Sequence, residues 1–311
     1  MRRTFDTDRP IEPHVLLGMG LRLASALALA LMFAGVKWAA QHGVSVIESL
    51  FYRQLGSALC AAGWVALGPG FASLKTRRVG GHVARMAIGL VAMGLNFLAF
   101  ILLPLAEATA IGFSVPIFAT LLAALVLGEP TGRWRWSAMI IGFVGVLVIV
   151  QPGSSHVGLY GGAVAVGAAL STACATIAIR RLGATEATAT TVFWFAVISL
   201  VPLGLAMIFT ANPHDAHAFA VIAAFSVAGG IAQLLLTGAL RLAPVGLVIP
   251  MDYSALLWAS LLGWLVFDQL PSQWTWVGAP IVIAAGLVIL WREHRLRIAG
   301  TATAAVPEVN E

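Results

Sequence analysis

Charge is scarce in this sequence. Only 10% of its 311 residues are charged, with 18 Lys and Arg against 13 Asp and Glu. A soluble domain carries about 25%. That is too little charge to cover a water-soluble fold, and it argues against a soluble enzyme. Cysteine is scarce as well. Cys60 and Cys174 both lie inside apolar stretches. There is no CxxC pair and no His/Cys ligand cluster, which excludes a disulfide scaffold and a structural zinc site. A P-loop, HExxH and GxSxG are all missing, so a primary pump, a zinc protease and a serine hydrolase lack their signatures.

What is present is hydrocarbon. Hydrophobic residues make up 60% of the chain, and its mean hydropathy is +0.94. The net charge of +5 could suit an acidic partner. Basic residues gathered between apolar runs are better read as the cytoplasmic loops of a membrane protein. No nucleic acid, cofactor or metal is expected.

A helix needs about 20 apolar residues to cross the hydrocarbon core. Ten stretches fit, at 20–40, 45–67, 83–103, 105–127, 134–151, 157–179, 188–209, 217–239, 243–266 and 273–291. The first is read as a retained span, because no cleavage site follows it. Breakers separate many of them, among them Pro69, Pro130, Pro152, Pro213 and Pro271. The runs are too long and too uniformly apolar for barrel strands, which alternate over about ten residues.

The basic residues set an orientation. Of the 18, 16 fall in the two tails, in every second gap between spans, or (Arg22, Arg85 and Arg135) just inside the span ends that border them; Lys37 and Arg53 are the exceptions. The positive-inside rule then puts both termini in the cytoplasm, with the chain in the cytoplasmic (inner) membrane. Ten spans divide into two sets of five. An odd number per set forces the halves to insert with opposite orientation. Echoes support the division. Arg133-Trp134-Arg135-Trp136 matches Gln273-Trp274-Thr275-Trp276, Pro116 in span four matches Pro250 in span nine, and Gly145-Val146-Leu147 matches Gly286-Leu287-Val288. Inverted repeats with interrupted helices point to a secondary transporter with a midplane site.

The run Leu105-Ala106-Glu107-Ala108-Thr109-Ala110-Ile111, then Pro116, then Leu125-Val126-Leu127-Gly128-Glu129, Gly142 and Gly145, resembles the EamA half of a drug/metabolite transporter. Arg53 stands where that family often has an arginine, and Asp268 where it often has glutamate. The resemblance covers residues 20–292. It implies an all-α membrane bundle of ten helices in two inverted five-helix EamA repeats, 20–151 and 157–292. Cytoplasmic tails 1–19 and 293–311 flank them. It also implies a small-molecule substrate, and the first half looks like the branch that includes S-adenosylmethionine and riboflavin importers. Amino acids are a further substrate class, and proton-coupled export is the alternative direction.

An ionisable residue at the centre of a span costs about 2.5–3.5 kcal/mol on insertion scales, so it faces a cavity or a partner. Arg53 and Asp252 qualify. Asp252 has two readings: a cation, proton or cationic-substrate site, or an ion-pair partner for Arg53. Arg53 has two as well: a clamp for a substrate carboxylate or phosphate, or that same structural partner. Asn96 and Gln233 are read as cavity lining, because large amides are costly to bury. Tyr253 and Trp258 flank Asp252 and would suit a sulfonium or ammonium through cation–π attraction. Pro116 and Pro250 are read as mid-helix hinges or gates.

Lys37 is expected to snorkel to the interface, Glu48 to be an interfacial charge, and Glu107 and Asp268 to be solvated at span ends. Glu129 is expected to close a cytoplasmic turn. The seven histidines fall in tails, loops or span ends, and His214-Asp215-Ala216-His217 is a weak metal signal. The tail after Arg297 is expected to be disordered. Gly158-x-x-x-Gly162 is a possible dimer contact. A channel is the less favoured rival, since channels need rings of charge or carbonyls.

Overall fold

The structure is a computed structural model. It describes residues 13–68, 70–76, 78–126, 133–151, 158–183, 186, 188–243 and 249–304. Glu129 and the tail from residue 305 lie outside them.

Eleven α-helices and no strand occur among the described residues. They are α1 (Pro13–Gln41), α2 (Val46–Leu67), α3 (Val79–Leu102), α4 (Leu105–Gly112), α5 (Val115–Val126), α6 (Arg133–Val150), α7 (Leu159–Gly183), α8 (Thr188–Thr210), α9 (Ala216–Leu242), α10 (Ser254–Phe267) and α11 (Gln273–Ala304). Short 3-10 turns stand at Phe71–Leu74 and Ile249–Tyr253. Among the described residues, six segments are long and apolar enough to cross a bilayer, and apolar runs at Trp136–Val150, Met251–Phe267 and Gln273–Ile289 are shorter. The last helix continues past Arg297 to Ala304, a correction to the disorder expected there.

The bundle is inside out compared with a soluble protein. Phe209 is 88% exposed and Trp134 70%, whereas Lys37, Glu48, Gln54 and Glu107 are buried. Apolar side chains face outward because hydrocarbon solvates them, and polar ones turn inward where they find partners.

The expected fourth span is two helices. Pro116 stands second in α5, after a break at Phe113–Ser114. It is therefore at a helix start, where its missing N–H costs little, and not in mid-helix as expected. The break is satisfied locally: the Ser114 N–H and hydroxyl both donate to the Ile111 carbonyl, at 3.0 and 2.6 Å. Pro250 likewise lies in the 3-10 turn that leads into α10, not inside a continuous helix. Among the described residues, prolines deep inside helices are Pro202 in α8 and Pro280 in α11.

The α1/α2 turn marks the end of the bundle where three charges depart from expectation. Lys37 does not snorkel. It is 4% exposed, donates to the Leu103 carbonyl, and lies 5.6 Å from the centre of the Phe267 ring. Glu48 is 1% exposed and fully engaged. Its Oε2 accepts from the Ser45 N–H in a capping box at the start of α2, and its Oε1 lies 2.9 Å from the Asn212 N–H and from His214 Nε2. Glu107 is 2% exposed and accepts from the Ser272 N–H and the Thr275 hydroxyl, at 2.8 and 3.1 Å. A carboxylate that satisfies orphan donors at a helix start does more buried than solvated. The metal signal at 214–217 dissolves in the same way: His214 is held by Glu48, Asp215 caps α9 and His217 packs on Trp38.

Helix α1 packs on α9, α3 on α7, α6 on α11, and α2 on both α8 and α9. The α6–α11 crossing depends on glycine. A Cβ on Gly278 would lie 2.7 Å from the Gly145 carbonyl oxygen, and one on Gly145 would lie 3.1 Å from that of Gly278.

Candidate functional site

A cavity of about 340 Å³ lies among α1, α2, α3, α7, α8 and α9. Arg53, Asn96 and Gln233, three of the residues expected from sequence, line it together. Arg85 and Thr172 join them. Apolar walls come from Met32, Phe33, Met93 and Phe97.

The polar groups are held by one another. Asn96 Nδ2 donates to the Ala92 carbonyl at 2.7 Å and to the Thr172 hydroxyl at 2.9 Å, tying α3 to α7. Arg53 donates through Nη1 to Gln54 Oε1 at 2.5 Å. The Gln54 amide reaches the Phe195 carbonyl at 3.5 Å. The Arg85 guanidinium stands 4.1 Å above the Phe195 ring, a cation–π contact. Gly89, one turn from Arg85, makes that contact possible. A Cβ there would meet the Phe195 ring at 2.6 Å.

Both arginines keep donors in reserve. Arg53 Nε, Arg85 Nε and Arg85 Nη1 are buried without a hydrogen-bond partner. No acidic side chain is among the described residues that line the cavity.

The other three expected residues are elsewhere. Asp252 takes Arg22 of α1 as its salt-bridge partner, so the alternative pairing of Asp252 with Arg53 does not form. Arg22 also reaches the Ser25 hydroxyl at 3.3 Å, which in turn donates to the Ala232 carbonyl at 2.8 Å. Tyr253 packs edge-on against Phe113 with ring centres 5.0 Å apart, and its hydroxyl lies over Gly286. Trp258 is on α10 with its indole N–H buried and unpartnered. None of the three lines the Arg53 cavity.

Sequence reasoning misses Arg85, because by hydropathy it falls with the loop cations before span three. Its helix in fact begins at Val79. The spacing Arg85, Gly89, Ala92, Asn96 follows one helical face and is the available signal. Arg22 is missed in the same way, as a tail cation, although α1 begins at Pro13.

Comparison with known proteins agrees with this architecture. A riboflavin transporter of Rhizobium johnstonii is 28% identical over 301 residues, covering 95% of this chain and 98% of the relative. An S-adenosylmethionine uptake transporter of Rickettsia prowazekii is 26% identical over 227 residues, covering 72% and 76%. The pseudopaline exporter CntI of Pseudomonas aeruginosa is 26% identical over 275 residues, covering 88% and 95%. The profile of the EamA-like transporter family matches residues 16–151 and again residues 159–291. Matched twice along nearly its whole length, this multi-pass membrane chain belongs to the EamA-like transporter family.

Proposed function

We propose that this protein is a secondary transporter that carries a small polar organic metabolite across the cytoplasmic membrane by alternating access around the Arg53 cavity. One observation carries the reading. A largely apolar cavity with a cluster of polar side chains lies within a bundle of apolar exterior, and both halves of the chain build it: Arg53, Arg85 and Asn96 from the first, Thr172, Phe195 and Gln233 from the second. A site between two halves is what rocking needs in order to expose it to each side in turn.

The same reading takes ten spans in two inverted repeats, 20–151 and 157–292, with both termini cytoplasmic. The packing supports it. With α4–α5 counted as span four and α10 as span nine, exchanging the halves turns the α1–α9 contact into α7–α3, and the α1–α10 contact into α7–α5. The α6–α11 and α2–α8 contacts map onto themselves. The breaks at Pro116 and Pro250 occupy equivalent places and act as hinges. The Arg22–Asp252 pair ties α1 to the second break, so Asp252 is a latch here. Asp252, Tyr253 and Trp258 then shape the moving segment and leave substrate contact to Arg53, Asn96 and Gln233.

Relatives that differ this much in cargo leave the substrate to the cavity and not to the fold. The test is uptake and counterflow of radiolabelled riboflavin, S-adenosylmethionine and an amino-acid mixture in proteoliposomes. Saturable exchange that falls at least about tenfold in Asn96→Ala would support the cavity as the path. A flux that is unsaturable, or unchanged by that variant, would remove it.

A further inference from the structure

We infer that the cavity takes an organic oxyanion, a carboxylate or phosphate ester with an apolar body, clamped between Arg53 and Arg85. The inference rests on the transport reading and adds the chemical class of the cargo. Two guanidiniums face one cavity of about 340 Å³. Buried charges in proteins are paired, because desolvation is costly. These two have no carboxylate among the described residues of the cavity.

The acids that could have served are committed elsewhere. Asp252 pairs with Arg22. Glu186 accepts from the Thr76 hydroxyl at 2.8 Å and stands 3.9 Å from His82. Glu48 and Glu107 are spent on helix starts at the other end of the bundle. No carboxylate among the described residues of the site neutralises the two positive charges, so the missing counter-charge is a ligand.

The donors fit that partner. Arg53 Nε, Arg85 Nε and Arg85 Nη1 lack acceptors. The Gln54 contact fixes one guanidinium and the Phe195 ring the other, so their planes are set before the ligand arrives. Planar guanidiniums with free N–H groups match carboxylate or phosphate oxygens. Phe33, Phe97, Met32 and Met93 leave apolar room for the rest of the molecule. A sulfonium or ammonium would meet like charge here. The cation reading built around Asp252 therefore finds no support in this cavity.

The experiment uses the purified full-length protein in detergent and follows melting by light scattering. Four probes share a phenyl body and differ in charge: 3-phenylpropionate, phenyl phosphate, 3-phenylpropionamide and 3-phenylpropylamine. A ligand that binds only the folded state raises Tm. At least one anion is expected to raise Tm by several degrees in a saturable way, while the amide and amine leave it unchanged. Arg53→Gln and Arg85→Gln should each weaken that response roughly tenfold to a hundredfold, whereas Arg22→Gln should keep it. Where a Gln variant does not purify, Arg53→Lys and Arg85→Lys stand in; they keep the charge, lose the fork and should bind more weakly.

An equal response to the amine or amide, no response to any probe, or an undiminished response in both arginine variants would overturn the clamp. So would a response to phosphatidylglycerol micelles alone, which would assign the arginines to lipid headgroups. The two readings can fail separately. Anion binding without counterflow in proteoliposomes would remove transport and leave the clamp. Counterflow with no preference for charge would remove the clamp and leave transport.

Discussion

Asp252, just ahead of α10, is held by Arg22, one-third of the way along α1 and 230 residues earlier in the chain. The pair bridges the first helix and the 3-10 turn that leads into α10. Its side chains are 10% exposed at Arg22 and 35% at Asp252, so it lies between the surface and buried limits for an ion pair. A double-mutant cycle with Arg22→Gln and Asp252→Asn should give a coupling of about 1–3 kcal/mol. Each single variant should lower Tm, and the double variant should be no worse than the poorer single. Strictly additive losses would mean that the two side chains do not act as a pair.

That pair also shows where sequence and structure part. The all-helical, apolar character of the chain, the half-buried arginine at 53 and the amides at 96 and 233 are legible in the sequence, because hydropathy and the cost of burying polar groups are local properties. Partner choice is not legible. Arg22 and Arg85 read as loop cations because helices α1 and α3 extend beyond their apolar cores, and a charge at a helix shoulder looks the same as one in a loop. Lys37, Glu48 and Glu107 read as solvated because they stand at span ends. In the fold those ends are capped by buried carboxylates. The prolines do mark interruptions, but not as mid-helix kinks: the chain breaks its helices so that Pro116 falls at a new start.

The crossing of α6 and α11 gives a steric test. A side chain at Gly278 would push against the Gly145 backbone, which cannot yield as a flexible side chain can. Gly278→Val should therefore abolish or sharply reduce the yield of folded protein after size-exclusion chromatography. Gly63 in α2 has no atom within 4 Å of the place a Cβ would take, so Gly63→Ala should be neutral or stabilise by about 0.5–1 kcal/mol. Equal behaviour of the two variants would count against the close crossing.

The buried carboxylates at the α1/α2 end should be structural. Glu48→Ala leaves the Ser45 and Asn212 N–H groups without their acceptor. Charged hydrogen bonds are worth about 1.5–3 kcal/mol each, so Tm should fall by at least several degrees. Glu107→Ala should act in the same direction by freeing the Ser272 N–H and the Thr275 hydroxyl. A surface salt bridge would contribute about 0–1 kcal/mol. A loss no larger than that at both sites would return these residues to a solvated role.

The arginines of the cavity should behave in the opposite way. A site that holds two like charges without a counter-charge is strained until its ligand arrives, and active sites often carry such a cost in stability. Replacing one charge removes its desolvation penalty and its repulsion from the other. In the absence of ligand, Arg85→Gln should therefore raise stability by on the order of 1 kcal/mol, or about 2–4 °C in a chain of this size. That gain is net of the lost Phe195 stacking, about 2 kcal/mol when desolvated, because burying an unpaired ion costs several kcal/mol. Arg53→Gln should gain less, because it also gives up the hydrogen bond to Gln54. The contrast with Arg22→Gln decides the matter: the same substitution should destabilise the protein where an acid is present and stabilise it where none is. If Arg85→Gln melts as early as Arg22→Gln, Arg85 has a protein partner and the cavity is not waiting for an anion.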